Sequence, residues 1–97
     1  MASDNEHYRK QARRRSQLRR ITLEVIRDLR KDSDLTHKEL ANGLGLKRWQ
    51  VTNMLRGNRA IPPWELVMLE ETLRLAPGDI TRGIRRRDRR ANARKVR

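Results

Sequence analysis

Apolar residues recur along this chain at intervals of three and four, separated by polar links that carry turn residues. Leu18, Ile21, Val25, Ile26 and Leu29 form the first stripe, the spacing of one face of an α-helix, and predict a helix at about Ser16 to Lys31. A polar link follows, to Asp34. Thr36 stands three residues before Glu39, so each can satisfy a backbone donor of the other's turn, as in a capping box. That starts a second helix at about His37, with Leu40, Ala41 and Leu44 on one face. Gly45 can adopt the left-handed conformation that ends a helix abruptly. A third helix is expected from Lys47 to Leu55 or Arg56, with Val51, Met54 and Leu55 inward and Gly57 closing it. The small Ala41 leaves room for these two helices to cross closely. Gly43, in mid-helix, costs about 1 kcal/mol relative to alanine, which predicts a short or pliable second helix.

Pro62 and Pro63 pre-set the first turn of a fourth helix, whose buried side is expected to comprise Trp64, Leu66, Val67, Leu69 and Leu73. Ala76, Pro77 and Gly78 end it. Asp79 is expected to cap a short fifth helix with Ile80 and Ile84 inward. No stretch alternates in the manner of a strand, and no segment repeats. The fold class is therefore all-α, a small bundle of about five helices. Residues 1–15 are expected to form a basic flexible arm, 16–84 the folded domain with its exposed helix at about 47–56, and 85–97 a basic tail. That tail, rich in like charges and without core residues, should be mobile until phosphates neutralise it.

Charge sharpens the picture. The chain carries 25 Lys and Arg against 12 Asp and Glu, a net charge of +13, for which a polyanion is the expected ligand. Residues 1–34 hold ten basic and six acidic groups, 35–78 hold six and four, and 79–97 hold nine and two. Basic ends thus flank a nearly balanced middle. Within it Lys38, Lys47, Arg48, Arg56 and Arg59 cluster around the third helix, whereas Glu65, Glu70 and Glu71 lie on the fourth, so one face is expected to be electropositive and the other acidic. The rival reading of such runs is a solvated surface.

With Val51 and Met54 inward, Arg48, Trp49, Thr52 and Asn53 project outward from the third helix. They offer what major-groove reading needs: Arg bidentate to guanine, Asn or Gln bidentate to adenine, and an apolar surface for the thymine methyl. Gln50 and Lys47 stand beside them and can reach a base or a phosphate. Trp49 has a rival placement, because rotation of the helix by part of a turn would bury it. Thr36, His37 and Lys38 lie at a helix start, where free N–H groups and the positive dipole end favour a phosphate; for His37 the rival is an ordinary exposed polar residue. Arg13, Arg14 and Arg15 could enter a minor groove as basic arms do, or simply solubilise the chain.

The segment LTHKELANGLGLKRWQVTNMLRGNRAIP resembles the helix-turn-helix domains of phage repressors, Cro proteins and the xenobiotic-response-element regulators, and the resemblance extends over roughly Leu18 to Ile80. It rests on the small Ala41, the turn glycine Gly45, the inward Val51 and Met54, and Gly57 after them. The resemblance implies a lambda-repressor-like fold and double-stranded DNA as partner. It implies base contacts by Arg48, Trp49 and Asn53, with Gln50 and Thr52 beside them, and backbone contacts by Arg56, Asn58 and Arg59. The implied function is a sequence-specific transcriptional regulator, most simply a phage or prophage type repressor occupying an operator. An antitoxin or other protein-partnered regulator on the same fold, and a nonspecific nucleic-acid binder, are the alternatives.

Other classes fit poorly. The chain has no Cys, hence no disulfide framework and no cysteine-based zinc site, and His7 and His37 are too few and too far apart to suggest a metal. No cofactor is expected. There is no Ser/His/Asp or Cys/His set and no glycine-rich phosphate loop, so an enzyme is not expected. No apolar run reaches the roughly 18 residues of a membrane span, and MASDNEHYRK lacks an apolar signal core, which together predict a cytoplasmic location. Sparse apolar residues after Pro77 predict a monomer, or a weak homodimer that assembles on DNA.

Overall fold

The computed structural model describes residues 2–96 and contains five helices: α1 (Ala2–Ser33), α2 (His37–Leu44), α3 (Arg48–Leu55), α4 (Pro63–Thr72) and α5 (Asp79–Val96). No strand occurs among the described residues, as an all-α bundle requires. At 1.5 Å rise per residue the 32 residues of α1 extend about 48 Å, so this helix alone accounts for the longest dimension, 48 Å.

The core is one cluster drawn from every helix. Ile21, Val25 and Ile26 of α1 meet Leu40, Ala41 and Leu44 of α2, Val51, Met54 and Leu55 of α3, Leu69 of α4 with Leu73 just beyond it, and Ile80 of α5. The stripes expected on α2 and α3 are the buried ones, and of the α1 stripe Ile21, Val25 and Ile26 are buried while Leu18 and Leu29 are half-buried. Gly43 owes its place to α4: a β-carbon there would come within 2.4 Å of the Thr72 side chain, so glycine lets α2 and α4 approach at that point.

The fourth helix is rotated relative to the expectation. Trp64 and Val67, expected in the core, are 67% and 54% exposed, while Glu65 and Glu70 are buried. Burying a carboxylate is costly without partners, and both have them. Glu65 accepts two hydrogen bonds from Arg59, at 2.8 and 2.7 Å, and Glu70 accepts the backbone N–H of Ile80 at 3.0 Å, satisfying a free donor at the start of α5. The acidic face expected on α4 is therefore largely internal. Arg74 ends this helix in the left-handed conformation, φ 57°, and the N–H of Leu75 closes onto the carbonyl of Glu70 at 2.8 Å.

Both described ends of the chain lie in helices. Residues 2–15 are the first turns of α1, and 85–96 continue α5. They are tied together by Arg14, which forms a two-pronged pair with the buried Asp88 at 2.6 Å on each prong. Arg87 adds bridges to Asp28 and Glu24. Gly83 brings α5 close to α1, since a β-carbon there would lie 3.2 Å from Val25. Asp79 is the first residue of α5 rather than the residue before it; its carboxylate accepts the N–H of Ala76 at 2.9 Å and a bond from Arg82 at 2.5 Å. These contacts hold the carboxyl below its ordinary 3.8, the Arg82 bond first and the Ala76 amide second.

Candidate nucleic-acid interface

The interface candidate is built from α2, its turn and α3. Thr36 Oγ1 accepts the N–H of Glu39 at 3.1 Å, and Glu39 Oε1 accepts the N–H of Thr36 at 3.2 Å, so the expected capping box is complete. Gly45 takes φ 66°, and its N–H and that of Leu46 close the last turn on Asn42 and Ala41. The chain reverses there. Lys47 has no acceptor in its side chain, so capping at the start of α3 runs one way, with Gln50 Oε1 accepting the N–H of Lys47 at 2.8 Å.

The far end of α3 is held from α1, by residues the sequence reading did not single out. Arg27 donates through Nε to the carbonyl of Leu55 at 2.7 Å and through Nη2 to the same oxygen, and Arg19 donates to the carbonyl of Gly57 at 3.1 Å. No basic residue lies in the last turn of α3, so its terminal carbonyls need donors from elsewhere. That shortage, together with Arg19 and Arg27 on one face of α1, is the signal that could have found them. Gly57, at φ 81°, keeps the chain clear of Leu23, which a β-carbon would meet at 2.9 Å.

Held in this way, α3 buries Val51, Met54 and Leu55 and turns Arg48 and Trp49 to solvent; Trp49 is 61% exposed. The outward placement of Trp49 is thus the one observed. Asn53 is half-buried beside them, and among the described residues the side chains of Arg48, Trp49 and Asn53 form no hydrogen bond or ion pair. Thr52 Oγ1 donates to the carbonyl of Arg48 at 3.2 Å and lies 3.4 Å from His37 Nδ1. His37 therefore links the start of α2 to the middle of α3. Gln50, with its oxygen on Lys47, retains its amide N–H groups as donors.

Lys38 and Lys47 are exposed near the helix starts, and Arg56 and Asn58 beyond the end of α3. Two members of the expected set are committed elsewhere. Arg59 gives its guanidinium to Glu65 and is an internal pairing residue. Arg14, one of the three arm arginines, is fixed on Asp88, its charge held more firmly by that bond. Arg13 and Arg15 are exposed on α1, so none of the three belongs to an extended arm.

No group of three or more metal-ligating side chains occurs among the described residues, and no helix among them is long and apolar enough to cross a membrane. Comparison with curated proteins and with solved structures finds no match. A helix-turn-helix family model, by contrast, matches residues 26–80, which spans α2, the turn, α3 and α4 and covers more than half of the 97 residues. The chain belongs to the helix-turn-helix family of the xenobiotic-response-element and phage-repressor type, and its domain is that of a DNA-binding transcription regulator.

Proposed function

We propose that the protein is a sequence-specific repressor of the phage or prophage type, which occupies an operator by laying α3 in the major groove. The observation that supports this most is the unpartnered set of exposed Arg48 and Trp49 with half-buried Asn53 on a helix fixed at both ends. Arg48 would donate a bidentate pair to guanine, Asn53 would pair with adenine, and Trp49 would cover a thymine methyl. Gln50 and Thr52 would serve neighbouring positions. Thr36, His37, Lys38, Lys47, Arg56 and Asn58 would hold the backbone. Ile80 is fully buried inside the bundle, which supports a monomer or a weak dimer assembling on DNA.

The test is selection of preferred sites from a randomised duplex library at about 150 mM salt, where phosphate-only binding is weakened. One recovered motif supports the reading, and its symmetry reports the number of copies bound. A flat library overturns it in favour of a charge-driven binder. A protein-partnered regulator is the second reading, favoured by Trp64 and Val67, which lie one turn apart and exposed on α4. Copurification of a stoichiometric protein partner that a Trp64→Ala change releases would support it.

A further inference from the structure

We propose that α5 carries a second DNA-backbone site, distinct from α3, that lets one molecule hold two duplex segments. The inference rests on the reading of α3 as a duplex binder. Arg82, Arg85, Arg86 and Arg89 lie at spacings of three, one and three, and all are exposed. On a helix of 3.6 residues per turn they share one face, roughly opposite Ile80, Ile84 and Asp88, which face the bundle. Arg82 is paired with Asp79. Arg85, Arg86 and Arg89 form no ion pair among the described residues; Asp79, paired with Arg82, feels the charge of Arg86 but makes no bridge to it, so three guanidinium groups stand side by side with one partly shared carboxylate.

This ridge is remote from α3. Among the described residues the backbone of α5 approaches within 8 Å of α1 and α4 and not of α2 or α3. On α1, Arg19, Leu23 and Arg27 touch the end of α3, whereas Arg14, Gln17, Glu24, Val25 and Asp28 touch α5. At 100° per residue these two sets are centred roughly 150° apart around α1. Helix α1 therefore stands between α3 and α5; Arg86 borders the groove that α5 forms with Val25 and Asp28 of α1, and Arg82, Arg85 and Arg89 lie farther from α1 on the outer face of α5. A duplex in contact with Arg48 and Asn53 leaves the ridge uncovered.

The chemistry of the ridge selects its occupant. Segment Asp79–Val96 has no aromatic residue, so it offers single strands no stacking platform. It also presents no apolar anchor of the kind that carries binding energy in protein interfaces. What remains is a row of guanidinium donors, suited to phosphate oxygens and indifferent to base sequence. A second segment of duplex DNA fits.

A bridging capture tests this. A short mixed-sequence duplex is immobilised on beads, the full chain is bound to it, and a fluorescent duplex of the same sequence is added at low salt. The unmodified protein should retain the fluorescent duplex. Arg85→Gln/Arg86→Gln/Arg89→Gln should hold to the beads in similar amount, melt at a similar temperature, and lose capture about tenfold, while the triple Lys replacement should keep most of it. Capture undiminished in the Gln variant would overturn the proposal, because bridging would then come from two α3 helices in a dimer. No capture by the unmodified protein held on the beads would overturn it as well. Failure of that protein to bind the beads at all is read separately, and removes the α3 reading together with the proposal built on it.

Discussion

Gly43 of α2 and Thr72 of α4 meet so closely that a β-carbon on the glycine would lie 2.4 Å from Thr72 Cγ2 and 2.5 Å from its Oγ1. Intrinsic propensity alone would make Gly43→Ala stabilising by about 1 kcal/mol. The contact reverses that sign, because overpacking costs about 1–3 kcal/mol. Gly43→Ala should lower the thermal midpoint, and the same change in a Thr72→Ala background should lower it much less, since only the β-carbon of residue 72, at 3.0 Å, then remains close. A double-mutant cycle measured by thermal unfolding checks both.

Arg74 occupies the left-handed region at φ 57°, where a β-carbon is strained and glycine is not. Arg74→Gly should stabilise by about 0.5–1 kcal/mol, a rise of a few degrees in midpoint. Its side chain is exposed, so little packing is lost. Arg74→Ala, which keeps the β-carbon, should gain nothing.

Arg56 and Arg59, three residues apart, should respond in opposite ways. Arg59→Ala leaves the buried Glu65 carboxylate without its partner and should cost about 1–3 kcal/mol of stability. Arg56→Ala should leave the melt unchanged, weaken DNA binding, and reduce the slope of log affinity against log salt by about 0.9, one phosphate contact. Thermal melts and salt titrations of both variants separate these outcomes.

Asp88→Asn removes the charge that anchors Arg14. Amide hydrogen exchange should then quicken in residues 4–15 and 89–94, with protection of α2 and α3 retained, since core residues from Ile21 onward are untouched. Uniform loss of protection across all five helices would contradict this local account.

Acid should weaken the α4–α5 corner. Asp79 is held below 3.8 in the folded chain by the Arg82 bond and the Ala76 amide, so its contribution is complete above that pH and is lost as pH falls through the lower folded value. The thermal midpoint of the unmodified chain should fall through this window more steeply than that of Asp79→Asn, measured between about pH 2 and 6.

The α2–turn–α3 unit was legible because its signals are local. A capping pair three residues apart, a glycine at the reversal and inward aliphatics at helical spacing each act within one or two turns. Helix α4 was not legible in the same way. Its apolar residues fit more than one rotation, and the observed one buries Glu65 and Glu70, which only Arg59 and the amide of Ile80 make tolerable. The tie between the two ends was not legible for a related reason. Arg14 and Asp88 are 74 positions apart, and no periodicity near either residue announces the other. Exposure of Arg48 and Trp49 was readable from the inward Val51 and Met54, whereas the capture of Arg59 by Glu65 depends on how α4 is turned.

The grip of Arg19 and Arg27 on α3 falls on main-chain carbonyls, and the inward anchors are Val51, Met54 and Leu55. None of these attachments uses Arg48, Trp49 or Asn53. The outward positions can therefore be rewritten while the scaffold keeps its stability, much as type is reset in a fixed frame. A library varying only those three residues should yield mostly folded proteins in a small, cysteine-free frame.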